Sequence, residues 1–562
     1  MEFNRVSLYL GVFMLAVLAG TRSNLKRWHD GFAIGITAIG LLALLSRLFP
    51  DLVDERGLFQ FLPGGENRLS YPLDYWNGLG IFTGLAFPLL LGAAVRARSA
   101  IARGLAVAPV PALVATIYLT SSRGGAATAV IGTVLFLALT TRRWLALALT
   151  LAAGLGSIAV IGSMLGRDEL VDGPLQSTAA ADQGHGAAIL IALACVGVGV
   201  LVALVSRFGP RPRVRIGRRA GTVLAVAALA GAIVAVAVVD PVDRFRTFKK
   251  SPNEFQQIET DFTRNHLLSE SGSGRWQFWS AAADEFDSKP VLGRGAGSYE
   301  AWWAQHGSLY RFIRDAHSLY LETLAELGIV GFSLLALMLG TGVFAVAVRL
   351  RAARGEDRVM IASLAALLGA YCVAAGIDWM WELTVVSVVA IATLGLLTGP
   401  ASAALRAQRP APAENGDVPA RRSVRRHGPR YLLALSGVVA LALFVITTEA
   451  IPLLAQTRIR DSQAAVERGD ATTALDKARD ARDLQPWAAS PRLQLALVEE
   501  QTGDLGAARS SILEAIDNDP SDWRLWLVRA RLETKSGAFA RARRSLREAK
   551  RLNPRSPLFA SG

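Results

Sequence analysis

The chain alternates long apolar runs with short polar connections. Runs fall near 6–20, 31–49, 76–95, 101–119, 124–140, 144–165, 186–205, 220–239, 319–347, 359–377, 383–399 and 431–450. A bilayer-crossing helix needs about 20 apolar residues. These runs predict about twelve spans, the first and fifth of them short. One connection, 240–316, is far longer than the others. Within it Trp276, Trp279, Ala283 and Phe286 recur at helical spacing, with Asp284, Glu285 and Asp287 on other faces, which predicts an amphipathic helix. Pro290 and the glycines 293, 295 and 297 end it, and an apolar helix begins at Leu319. His317 therefore sits where water meets lipid.

Beyond the last run the pattern changes. Gly469, Gly503 and Gly537 repeat every 34 residues, as do Pro486, Pro520 and Pro554, with Ala471, Leu475 and Ala478, then Ala508, Ile512 and Ala515, at helical spacing between them. A 34-residue helix-turn-helix period is that of tetratricopeptide repeats, and three repeats suffice for a stack. The predicted fold is all-α: a polytopic transmembrane helical bundle followed by a C-terminal tetratricopeptide α-solenoid. The predicted parts are a membrane domain over 1–399 with the large loop 240–316, a Pro/Arg-rich linker over 400–430, a last span over 431–450 and the repeats over 456–562.

Mean hydropathy is +0.34, and 52% of the 562 residues are hydrophobic, which excludes an ordinary soluble protein. The net charge of +14 raises nucleic acid as a partner. The basic residues, however, lie in clusters between the spans: Arg22/Lys26/Arg27, Arg96/Arg98/Arg103, Arg142/Arg143, Arg207 to Arg219, Arg349 to Arg358 and Arg406 to Arg430. All six occupy alternate connections. That is the pattern of topology control, with the basic side cytoplasmic, and it argues against nucleic-acid binding. The other connections, 50–75, Thr120 to Arg123, 166–185, 240–316 and Asp378 to Glu382, then face outward, and so do the repeats. The expected location is the plasma membrane, crossed many times, with the catalytic face and repeats extracytoplasmic. Cys195 and Cys372 lie in separate apolar runs, where packing is the expected role.

Arg275-Trp276, the turn Pro290-Val291-Leu292-Gly293-Arg294-Gly295, and His317-Ser318-Leu319-Tyr320-Leu321-Glu322 followed by Glu326-Leu327-Gly328-Ile329-Val330-Gly331 resemble the signature of the O-antigen ligase and polymerase superfamily. The resemblance extends from Arg68 to Asp378. Compared with that family the amino-terminal side is short. The resemblance implies a membrane glycosyltransferase that moves a glycan from a polyprenyl-diphosphate carrier to a glycan, lipid or protein acceptor. It also implies that Arg123, in a serine-arginine-glycine turn, and Arg275 bind the diphosphate, and that His317 takes the acceptor's proton or assists carrier binding.

Each residue also has a plainer reading. Arg123 can be an interfacial side chain that snorkels. Against this it is the sole charge in its turn, and Gly124-Gly125 would let a phosphate approach the backbone. Arginine suits the task because its planar fork holds phosphate oxygens in pairs and keeps its proton. Arg275 can serve to solvate its helix. Arg294 sits in a glycine-rich turn that reads equally as a phosphate nest or as a tight bend. His317 is one of six histidines, and histidine titrates near neutrality. Glu322 can orient an imidazole, bind acceptor or pair with an arginine.

Arg68, Tyr75 and Asn77, in or beside the first outward loop, complete the candidate substrate-binding set with Arg294, Glu322 and Asp378. Asp378 precedes Trp379-Met380-Trp381-Glu382, where the tryptophans suit an interfacial belt and the acids could position an acceptor. The outer side carries no HxxH, CxxC or Asp-x-Asp pattern. The chemistry is therefore expected to use no metal, cofactor or nucleotide sugar. The partners expected are the lipid-linked donor, the acceptor, membrane lipid and a protein on the repeats. The other functions compatible with these patterns are a glycan polymerase of the same superfamily, and a transporter or scaffold acting through its repeats.

Overall fold

The computed structural model describes residues 2–52, 67–174, 177–209, 240–252, 262–403 and 429–559. The run at 220–239 and positions 404–428 of the linker lie outside the described residues. Among those described, the regular structure is helical: α1 (Glu2–Ala19), α2 (Leu25–Leu48), α3 (Trp76–Gly84), α4 (Ala86–Arg96), α5 (Ala100–Val107), α6 (Val110–Leu119), α7 (Arg123–Leu139), α8 (Arg143–Met164), α9 (Asp168–Val171) and α10 (Thr178–Phe208). The long connection carries α11 (Pro241–Lys249), α12 (Phe262–Leu268), α13 (Arg275–Ser288) and α14 (Tyr299–His306). Then follow α15 (Leu319–Ala352), α16 (Gly355–Ala375), α17 (Thr384–Thr398) and α18 (Pro429–Glu467). The C-terminal stack is α19 (Ala471–Leu484), α20 (Ala489–Gln501), α21 (Leu505–Asn518), α22 (Trp523–Lys535) and α23 (Phe539–Leu552).

Seven helical stretches among the described residues are long and apolar enough to cross a membrane: Leu25–Leu48, Trp76–Arg96, Ala100–Leu119, Arg143–Met164, Thr178–Phe208, Leu319–Ala352 and Gly355–Ala375. The runs at 6–20, 124–140 and 383–399 form shorter apolar helices. The chain is a multi-pass membrane protein. Its centre is the pair α3–α4 with α7 and α16 packed on it, around Ile81, Phe82, Leu89, Leu364 and Leu367, none more than 2% exposed. The helices outside that centre turn large apolar side chains outward, among them Leu155, Ile158, Leu193 and Phe344. Such a surface is stable only against acyl chains. The connection at 166–185 is more helical than its polarity predicted, because Ser177 accepts from the amide of Ala180 and starts α10 early. Arg47, buried on α2, donates to the carbonyls of Glu169, Leu170, Gly173 and Pro174 and ties that connection down.

The helix α15 is broken at Gly328, whose φ of 63° and ψ of −166° lie outside the helical region. The turn after α13 fills the break. The amide of Ile329 donates to the carbonyl of Pro290 at 2.9 Å, and Gly295 donates to the carbonyl of Glu326 at 2.8 Å. A Cβ on Gly328 would lie 2.4 Å from the Val291 carbonyl oxygen, and one on Gly293 would lie 2.1 Å from that of Glu326. Only glycine permits both the backbone angle and the approach. The Pro-Val-Leu-Gly-Arg-Gly and Glu-Leu-Gly motifs are thus two halves of one clasp that locks α13 and α14 onto α15.

Beneath the clasp Phe278, Ala282, Tyr299, Trp303, Ala316 and Ala325 form a small buried core. Cys195 and Cys372 are both free thiols. In the C-terminal region, α18 runs unbroken through Pro452 and its last part packs on α19. Asp470 and Asp504 cap α19 and α21 through the amides of Thr473 and Ala507. The stack touches the long connection: Arg524 reaches Glu300 of α14 at 3.0 Å.

Candidate active site

Three guanidinium groups meet at the end of the bundle where α3, α7 and α13 begin. Arg123 is the first residue of α7 and Arg275 the first of α13, and Arg68 lies 4.9 Å from the ring of Trp76, the first residue of α3. Helix amino termini carry partial positive charge, so the backbone adds to the field of the side chains. Arg123 donates to the Ser269 carbonyl at 2.6 Å and the Ser273 hydroxyl at 2.9 Å. Arg68 is 7% exposed. It donates to the Ser121 carbonyl at 2.8 Å and lies 5.5 Å from the ring of Phe262. Its Nε is buried with no partner among the described residues.

Among the described residues one carboxylate serves this cluster. Asp378, 1% exposed, accepts from the Tyr75 hydroxyl at 2.9 Å, from Asn77 at 3.2 Å and from Arg275 at 3.0 Å. The Arg275 Nε also donates to the Ile377 carbonyl at 2.7 Å. Asp378 is therefore engaged in holding Arg275. Burial, and then the neighbouring Asp378, raise the Tyr75 phenol well above its usual range, so it remains a donor. Among the described residues Arg68 and Arg123 have no carboxylate partner. Burial pushes Arg68 down to about 10, with Arg123 and Arg275 adding to the effect. A site with this surplus favours an anion.

His317 stands beside the cluster with a φ of 57°, its ring 4.9 Å from that of Phe278. Its Nδ1 lies 2.9 Å from the Asp315 carbonyl oxygen. A carbonyl only accepts, so that contact places the proton on Nδ1 and leaves the Nε2 lone pair free. Burial, reinforced by Arg275 against the opposing pull of Asp378, lowers His317 to about 4, so the neutral form persists well below pH 7.

Three expectations from the sequence change. The glycine-rich turn around Arg294 is no vacant nest, because Glu326 fills it: its carboxylate accepts from the amides of Gly297 at 2.7 Å and Tyr299 at 3.1 Å. Arg294 itself is exposed and lies 4.7 Å from the Trp302 ring. Gly125 serves helix packing, since its Cβ would lie 2.6 Å from the Gly80 backbone. Glu322 accepts from the Ala316 amide at 2.7 Å, which fixes the turn before His317 without reaching the imidazole.

Asp315, Glu322 and Glu382 place carboxylate oxygens within 4.8 Å of one another and are the residues that could hold a cation. Glu382 is paired with Arg5. Burial, and then the Glu382 charge, push Asp315 up to about 8.

His266, on α12, carried no signal in the sequence. Its ring stacks 5.4 Å from that of Phe262, the same ring that faces Arg68. Burial, then Arg68, Arg123 and Arg275, lower it to about 3.

Residues 183–336 match the family model for O-antigen ligase, and residues 459–522 and 493–557 match tetratricopeptide repeat models. No curated protein matches the chain. The ligase match contains His266, Arg275, Arg294, His317 and Glu322, whereas Arg68, Tyr75, Asn77, Arg123 and Asp378 come to the site from outside it. The chain thus carries an O-antigen ligase domain of the membrane glycan ligase or polymerase type, joined to C-terminal tetratricopeptide repeats.

Proposed function

We propose that this end of the bundle transfers a glycan from a polyprenyl-diphosphate carrier to an acceptor hydroxyl on the extracytoplasmic face. The observation that carries this reading is the charge surplus among the described residues: Arg68, Arg123 and Arg275 against Asp378. A diphosphate supplies the missing negative charge. The acceptor oxygen bonds to the anomeric carbon as the carbon–oxygen bond to the diphosphate breaks. The bonding pair goes to the phosphate oxygen, where the arginines stabilise it. The acceptor proton goes to Nε2 of His317. Direct displacement inverts the anomeric centre, and no metal ion takes part.

The test uses purified protein, a defined lipid-linked glycan and its acceptor. Arg275→Lys keeps the charge but cannot serve both the Ile377 carbonyl and Asp378 in a planar fork. It should lose most of the transfer activity while remaining folded, and wild-type activity should survive a chelator. Unchanged turnover in Arg275→Lys and Arg123→Gln together would remove the diphosphate reading. A strict need for a divalent ion would transfer the chemistry to Asp315, Glu322 and Glu382.

A further inference from the structure

The helix α12 is pinned over the arginine cluster at three points. The Thr263 hydroxyl, 1% exposed as a residue, lies 2.7 Å from that of Ser121, in the turn before Arg123. The Thr263 amide donates to Asp172 at 2.9 Å. Just past the end of the helix, the carbonyl of Ser269 accepts from Arg123. Beside these anchors the ring of Phe262 lies 5.5 Å from the Arg68 guanidinium and stacks 5.4 Å from the His266 imidazole. The imidazole is therefore held at the guanidinium cluster by a short, pinned helix. The mechanism above gives it no task.

Neutral imidazole fits this place only while no anion is there. Among the described residues the charges that act on it are those of Arg68, Arg123 and Arg275, from three other elements. Arg264 is its neighbour on α12, and Asp172, the acid bonded to this helix among the described residues, is engaged by the Thr263 amide. Three cations oppose a fourth. A diphosphate reverses the sign of that field and offers oxygens that accept a hydrogen bond from imidazolium.

We propose that His266 is a fourth ligand of the carrier diphosphate, protonated only while the anion is bound. The proton comes from solvent during binding, forms a charge-assisted hydrogen bond to a phosphate oxygen, and returns to solvent when the carrier leaves. This rests on the diphosphate reading of the site. It adds that donor binding consumes a proton. Binding should therefore strengthen as pH falls, independently of the proton that His317 removes from the acceptor.

The experiment is calorimetric titration of the full-length protein in detergent with geranyl diphosphate at pH 6, in two buffers of different ionisation enthalpy. The dependence of the heat on buffer gives the protons taken up. The ligand's own protonation is common to all variants, so wild type should exceed His266→Asn and His266→Gln by about one proton. Affinity should fall about tenfold in both variants. His317→Ala should match wild type in proton uptake. Equal uptake in wild type and the His266 variants would overturn this inference and leave the diphosphate site standing. No binding to wild type would remove the diphosphate reading and this inference with it.

Discussion

Arg68 and Arg96 are each 7% exposed and lie at opposite ends of the helical stretch Trp76–Arg96, roughly 30 Å apart along its axis. Their surroundings differ. Arg96 forms an ion pair with Asp30 and lies 3.0 Å from the Nδ1 of His29. Its neighbours follow suit, with Arg22 paired to Asp357 and Arg98 to Glu356. At the other end Arg68 and Arg123 meet carbonyls, a hydroxyl and aromatic rings, and among the described residues the cluster holds one buried acid for three arginines. Burying a cation is tolerable when an acid goes with it. A buried cation left without one is retained against its own desolvation cost, and a ligand that brings negative charge accounts for it. The paired end is scaffold, and the unpaired end is the proposed site.

The largest effect should come from the site end. His317→Ala should lower kcat by about 10² to 10⁴, the range of a lost general base, with donor affinity retained. Because His317 is held near 4, the acid limb of kcat/KM that it governs should fall near pH 4, since the base form persists until protonation there. An acid limb at the ordinary imidazole value, abolished by His317→Ala, would show that the site does not desolvate this ring.

Next, exchanging each buried arginine for glutamine should separate the two ends. Arg68→Gln should weaken donor binding and turnover with little change in melting temperature. Arg96→Gln should leave turnover per folded molecule unchanged and destabilise by about 1–3 kcal/mol, the usual cost of stranding a buried partner. Parallel losses of stability in both would erase the distinction.

Gly328→Ala should act on both properties through the clasp. A left-handed backbone costs an L-residue about 1–2 kcal/mol, and the Cβ would meet Val291. The turn would have to withdraw and loosen α13, which carries Arg275. Denaturation and transfer assays on the same sample should therefore decline together.

The smallest effect should be at Asp315. Its carboxyl is held up near 8 in the folded chain, against about 4 when unfolded. The folded state thus binds more protons between those values, and stability is lost as pH rises through them. Asp315→Asn should raise the melting temperature at pH 8 and do less at pH 5. A larger gain at pH 5 would reverse the assignment.

Much of the architecture was written in local pattern. Apolar runs predict membrane helices because a bilayer leaves the backbone no other partner than itself. A 34-residue period predicts stacked helix pairs because each pair needs a neighbour to bury its face. Arg123, Arg275 and His317 were legible as candidates because each stands in a motif at the start of a helix. The glycines around Arg294 were legible too, equally as a nest or as a tight bend. Whether that nest was vacant depended on Glu326, a residue on another helix whose side chain satisfies the same amides.

Tertiary structure alone decided the rest. Asp378 faces Arg275 across 103 positions of sequence, and no local pattern distinguishes an acid that awaits an acceptor from one already engaged by Tyr75, Asn77 and Arg275. His266 lies on a seven-residue helix, too short for periodicity to mark. Its relation to three arginines exists only once α12 is pinned to the turn before Arg123. Hydrophobic periodicity is a property of neighbours along the chain, so sequence determines it. The balance of charge in a buried site is a sum over elements brought together from afar, and only the packed structure sets it.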